Sequence, residues 1–197
     1  TSPLTAAAHA SGLYNTALNV SLFKDPGDRS NDLKEIHYSL SAVAGVTPDM
    51  TSAIYSTALY VPPNTTRYVM FFGVDQYNNI EQVKSRIYST DTLPPMISNI
   101  SVSPNFCNAG KDITVRFTVN ETLNGSPSVR IGSFSMVPSS NNVWPNYEYR
   151  YTVMGNETQG TNNVVITVRD LATNQTIDAS QQVAFDFTPP SFTNPRF

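Results

Sequence analysis

Apolar and polar residues alternate with period two along most of this chain, and a 3.6-residue period is nearly absent, so the pattern predicts β-strands rather than helices. Leu18, Val20 and Leu22 alternate with Asn19 and Ser21, which predicts a strand with one buried face. After the polar loop from Lys24 to Asp32, Ile36, Tyr38 and Leu40 alternate with Glu35, His37 and Ser39 and predict a second. Short strands are expected between Ile54 and Val61, a strong one over Arg67 to Val74, and another over Ile80 to Ser89 after the turn Asp75-Gln76-Tyr77-Asn78-Asn79. Further on, strands are expected over Ile97 to Val102, Lys111 to Val119, Ser128 to Phe134, Tyr147 to Val153, Asn163 to Arg169 and Thr176 to Phe187.

The second set repeats the first. Asp75, Asn79, Asp91, Pro94 and Pro95 recur 95 residues later as Asp170, Asn174, Asp186, Pro189 and Pro190, and Leu18, Val20 and Leu22 recur at that offset as Ile113, Val115 and Phe117. A solenoid turn takes about 20 to 50 residues, so a period this long is a whole domain. The expected architecture is all-β: two tandem immunoglobulin-like or fibronectin-like β-sandwiches, over 1–91 and 92–188, joined by a short Pro-Pro linker. Residues 189–197 repeat that linker and are expected to lead into a further module.

Composition narrows the function. Only 14% of the 197 residues are charged and the net charge is -3, which leaves no basic field for nucleic acid. No apolar run reaches the roughly 18 residues of a membrane-spanning helix. The single cysteine, Cys107, excludes an intramolecular disulfide and a multi-cysteine metal cage, and it is expected to be a small, partly buried residue. Apolar packing alone must then hold each sandwich.

The residues of the first copy, Ile36-His37-Tyr38-Ser39-Leu40, Ile54-Tyr55, Phe72-Gly73-Val74-Asp75 and Asn78-Asn79, resemble the chitobiase C-terminal-like, fibronectin-like modules of microbial extracellular proteins. The chain departs from that pattern at Val43 to Pro48, where Asp-Gly is common, and at Asn78, where Gly is usual. Through Gly110 to Val115, Asn120-Glu121, Pro127-Ser128-Val129 and Asp170 to Asn174, the second copy resembles a bacterial Ig-like repeat of surface proteins. Such resemblances speak to fold more than to task.

Convergent catalytic groups are missing from the sequence: it has no nucleophile elbow, phosphate loop or zinc spacing. His9 falls in a leader expected to fray, and His37, alternating with Ile36 and Tyr38, is expected to face solvent. Asp75 and Asp170 should each accept backbone hydrogen bonds in their own hairpins, with Asn79 or Asn174 taking a left-handed backbone. No cofactor is expected. Calcium is the one ion with a conceivable ligand set, either Asp91, Glu121 and Asp170 or the acidic loop of Asp25, Asp28 and Asp32 with Asp75.

Tyr147, Tyr149, Tyr151 and Val153 share one strand face and read as core, whereas Trp144, just before Pro145, is the aromatic better placed for surface contact. Asn19, Asn64, Asn99, Asn120, Asn124, Asn156 and Asn174 stand in Asn-x-Ser/Thr and are candidate glycan acceptors. The whole reads as a non-enzymatic structural, spacer or adhesive segment of a larger secreted or cell-surface protein, such as a surface layer. Its expected partners are neighbouring domains of the same chain, further copies of itself, or surface glycans. The runner-up is an accessory or carbohydrate-binding region of an extracellular hydrolase. An intracellular or phage-borne decoration module is a third reading.

Overall fold

The computed structural model describes residues 2–191, so residues 192–197 of the expected C-terminal linker lie outside the described residues. The chain divides into two compact units, Thr1–Leu93 and Pro94–Phe197. In the first unit the strands are β1 (Thr5–Ala7), β2 (Gly12–Tyr14), β3 (Leu18–Val20), β4 (Leu22–Lys24), β5 (Leu33–Ser41), β6 (Leu59–Val61), β7 (Thr66–Asp75) and β8 (Lys84–Thr90). The second holds β9 (Ile97–Ser103), β10 (Phe106–Cys107), β11 (Asp112–Val119), β12 (Ser128–Ile131), β13 (Phe134–Ser135), β14 (Val137–Pro138), β15 (Asn146–Thr152), β16 (Gly160–Arg169) and β17 (Gln175–Phe185).

The two units share one plan, with local differences. In the first, one sheet runs β2-β8-β7-β5; in the second, the corresponding sheet runs β10-β17-β16-β12, extended by β13. Each contains a parallel edge pair, β2 with β8 and β10 with β17, and is otherwise antiparallel. The facing sheet of the second unit is β14-β15-β11-β9. Its counterpart is split into two ladders, β1 with β4 and β3 with β6, because the strand predicted over Leu18 to Leu22 breaks at Ser21, whose carbonyl accepts the Ala8 N–H at 2.9 Å. Two facing sheets with this order make each unit an immunoglobulin- or fibronectin-like sandwich.

Each unit has its own core, as period-two burial requires. Val20, Val61, Val69, Phe71 and Tyr88 fill the first; Ile113, Val115, Phe117, Tyr149, Ile166 and Phe185 fill the second. Each such apolar side chain contributes about 1.5–3 kcal/mol on burial. Cys107 is buried against the second core, more completely than the partial burial expected, and burial pushes its thiol pKa up.

Three expectations need correction. The N-terminal leader does not fray: β1 pairs with β4 and β2 with β8, the Tyr88 hydroxyl donates to the His9 carbonyl at 2.9 Å, and the His9 ring packs edge-on against Tyr14. His37 is not an exposed strand histidine, for it is only 3% exposed. It stacks on Phe72, its partner across the β5–β7 ladder, with ring centroids 5.2 Å apart, while Ser52 O lies 3.1 Å from its Nδ1. The segment from Ser52 to Tyr55 covers β5 from the other side, its Tyr55 N–H and Ala53 carbonyl bonding Ile36 and Tyr38. Leu40, expected in the core, is exposed near the end of β5.

Candidate functional site

The most regular polar feature is the hairpin turn after β7 and its copy after β16. The N–H groups of Tyr77 and Asn79 donate to Asp75 Oδ1 at 2.8 and 2.7 Å, and Asn79 Nδ2 donates to Oδ2 at 2.7 Å. The Asp75 N–H returns a bond to Asn79 O at 3.1 Å. Ninety-five residues on, the Asn174 N–H and Nδ2 donate to Asp170 Oδ1 and Oδ2 at 2.9 and 2.8 Å, and the Asp170 N–H donates to Asn174 O at 3.1 Å. Burial pushes the Asp75 carboxyl up, but the hydrogen bonds from Asn79 and Tyr77 outweigh it and hold the pKa below the ordinary aspartate value. The repeated Asp and Asn residues therefore hold the turns shut, as expected.

The left-handed residue, however, is not the asparagine that was expected. It is Asn78 in the first turn, at φ 62°, and Thr173 in the second, at φ 74°. Asn79 and Asn174 bind the aspartate with both main chain and side chain, so the preceding residue makes the reversal. A β-branched residue in that region costs about 1–2 kcal/mol. Thr173→Asn, which copies the first turn, should raise the unfolding midpoint of the second unit; a lowered midpoint in chemical denaturation would show that the threonine is preferred there.

The residues weighed for calcium are distributed as follows. Glu121 and Asp170, both in the second unit, place carboxylate oxygens within 4.8 Å of each other. Both Asp170 oxygens already accept bonds from Asn174, and calcium takes about six to eight oxygens. Asp91 belongs to the first unit, where its Oδ1 accepts the Leu93 N–H at 3.1 Å. Asp25, Asp28, Asp32 and Asp75 supply no group of three metal-ligand carboxylates among the described residues. Asp25 accepts the Gly27 N–H, and Asp28 accepts the N–H groups of Leu4 and Ser30. Asp75 is committed to its turn.

Two buried carboxylates stand out that the sequence did not single out. Glu81 Oε1 accepts the Thr5 N–H at 2.9 Å, and Oε2 accepts the Gly73 N–H at 3.1 Å and the Thr5 hydroxyl, with Lys84 Nζ 2.6 Å from Oε1. Glu157 accepts the N–H groups of Met154 and Gly155 at 2.7 and 2.8 Å and the Tyr151 hydroxyl. Burial raises Glu157, but the Tyr151 hydroxyl and these backbone donors win and keep its carboxyl below the usual range. Every donor to either carboxylate is structural, so both act as internal clasps. The only sequence signal was a lone Glu beside a turn, and that usually marks solvent.

Tyr149, Tyr151 and Val153 are buried and Tyr147 is half-buried, so the aromatic strand is core, as its alternation implied. Trp144 is 52% exposed. Six of the candidate acceptor asparagines, Asn19, Asn64, Asn99, Asn120, Asn124 and Asn156, are exposed; Asn174 is half-buried, with its amide turned to Asp170.

No protein-family model matches the chain, and no curated protein matches it in sequence. Among solved structures, the fibronectin(III)-like modules of Clostridium thermocellum CbhA are similar over 98% of this chain and 100% of theirs, with 10% identity and a TM-score of 0.49. An ectodomain fragment, D1-D4, of ICAM-5 is similar over 92% of this chain and 53% of its own, with 12% identity and a TM-score of 0.46. The D00-D0 domain of intimin is similar over 93% of this chain and 100% of its own, with 13% identity and a TM-score of 0.36. The strand order and pairing described above are what make this chain a tandem pair of Ig- or fibronectin-like sandwiches.

Proposed function

We propose that this chain is a non-catalytic structural or adhesive segment of a larger secreted or cell-surface protein. One observation carries the reading: the polar residues repeated between the two units, Asp75 with Asn79 and Asp170 with Asn174, are spent on the same turn in both, so what is duplicated is a scaffold. Short turns and Pro-Pro links, at Pro94-Pro95 and Pro189-Pro190, suit modules that transmit position between neighbours. No helix among the described residues is long and apolar enough to cross a membrane. Exposure of Trp144 favours a second reading, a carbohydrate-binding region accompanying an extracellular hydrolase.

The test is to raise antibodies against the second unit, label intact cells of the source, and map the peptides of the protein they capture. Surface labelling and a parent rich in further β-sandwich modules are expected. A parent carrying a hydrolase domain would favour the second reading, and labelling only after lysis would overturn both.

A further inference from the structure

The outer face of the sheet β14-β15-β11-β9 carries a groove of about 480 Å³, within the range of about 300–1,000 Å³ of small-ligand sites. Its charged centre is a ladder of three residues. Glu148 lies between two guanidinium groups, with Arg116 Nε 2.8 Å from Oε2 and Arg150 Nε and Nη2 each 2.8 Å from Oε1. Around it stand amides and hydroxyls, Asn99, Asn142 and Thr118 among them. Two cations against one anion give the groove a positive balance in a chain whose net charge is -3.

Local backbone irregularity shapes this face. The β9–β11 register shifts between Arg116 and Thr118, and Asn99 opposite is left-handed at φ 52°, its Nδ2 donating to the Thr118 hydroxyl at 3.1 Å. Bulges re-aim side chains, and left-handed non-glycine residues gather where a site over-determines them. The Asn142 side chain accepts the Glu148 N–H at 2.6 Å, which ties the loop to the ladder. Trp144 is in that loop, whose two ends, Asn142 and Asn146, both line the groove.

We propose that this groove binds a carboxylated saccharide. The arginine pair supplies planar forks that match a carboxylate, and exposed ion pairs such as Arg116–Glu148 are weak enough for a ligand carboxylate to compete for the guanidinium. Amides and hydroxyls around the pair can both donate to and accept from vicinal sugar hydroxyls, a match that an acidic peptide lacks. Glu148 occupies both forks in the unliganded groove and so competes with a ligand carboxylate for them. The inference does not depend on where the chain is displayed, so its failure would leave the structural reading standing.

Calorimetric titration of the whole chain at low salt, with Asn99 shown by intact mass to be unmodified, tests it. The probes are uronate-containing tetramers (galacturonate, alginate and hyaluronan) and neutral cellotetraose. At least one uronate-containing tetramer should bind and cellotetraose should not. Arg116→Gln with Arg150→Gln should weaken binding by about tenfold or more, as loss of charge-assisted hydrogen bonds requires. Glu148→Gln removes the only anion and should tighten it, a sign that general damage to the sheet would not produce. Silence from all three uronates, equal binding of cellotetraose, or an affinity unmoved by the arginine changes would each overturn the proposal.

Discussion

Glu81→Ala is expected to cost the first unit about 2–5 kcal/mol, because it leaves two buried backbone donors unsatisfied at about 1–3 kcal/mol each. Glu81 is only 5% exposed, and its two oxygens serve the Thr5 and Gly73 N–H groups, the Thr5 hydroxyl and Lys84. Removing them orphans two backbone donors at once and leaves Lys84, itself partly exposed, with the Thr5 carbonyl. The reason the clasp is so tight lies at Gly73, where a β-carbon would come within 2.7 Å of Thr5 Cγ2 and 3.0 Å of Leu33 Cδ1. The N-terminal segment packs directly on the β7 backbone, and Glu81 and Lys84 hold it there from the far side of the turn. Urea unfolding should show the first unit's midpoint fall sharply while the second unit's stays put, and the Thr5 and Gly73 amides should lose hydrogen-exchange protection. Glu81→Gln, which keeps one acceptor, should fall between. A midpoint unchanged in Glu81→Ala would mean that the clasp contributes nothing.

The second unit solves the same problem with a different residue. Thr176, which stands where the repeat places Glu81, donates its hydroxyl to the Pro95 carbonyl and ties the start of that unit to its last strand. Position is retained while chemistry changes, from a charged pair to a neutral hydrogen bond.

That substitution shows where sequence reasoning ran out. Period-two alternation was enough to find the long strands and the aromatic core strand, because those depend on which face of one sheet is covered. The 95-residue repeat found both turns, because an Asp and an Asn four residues apart close a local loop by themselves. His37, Glu81 and the leader were misread or missed for a common reason. Their burial comes from segments far along the chain: Ser52 and Phe72 cover His37, and Thr5, 76 residues away, covers Glu81. Alternation says nothing about a second cover on the outer face. The Ser21 break and the left-handed Asn78 and Thr173 escaped for the opposite reason, since each is a single-residue backbone choice that leaves the side-chain pattern intact. The groove around Glu148 was illegible because Asn99, Arg116 and Glu148 come from three strands and meet only once the register is set.

High pH should unfold this protein through its buried tyrosines. Burial pushes the Tyr88 and Tyr149 hydroxyls up to about 12, and Tyr151 higher still, by burial first and then by its bond to Glu157. Each is a hydrogen-bond donor that an ionised phenol would lose: Tyr88 to His9 O at 2.9 Å, Tyr149 to Pro127 O at 2.6 Å, and Tyr151 to Glu157. In the unfolded chain these groups ionise near the ordinary value of about 10. The folded state keeps its protons to higher pH, so the stability they confer is complete below pH about 10 and is lost as pH rises toward about 12. Denaturation midpoints followed from pH about 8 upward, alongside tyrosinate absorbance, should therefore hold level and then fall in that window. Tyr149→Phe separates the cause from general alkaline damage. At neutral pH it gives up one buried hydrogen bond, about 1–2 kcal/mol, and leaves the Pro127 carbonyl without that donor. With one fewer group to titrate, its midpoint should then fall less steeply than the wild type's, so the two curves converge as pH rises. Parallel curves would mean that Tyr149 ionises as readily in the folded core as in the open chain, which a phenol buried between two sheets and donating to a backbone carbonyl has no physical reason to do.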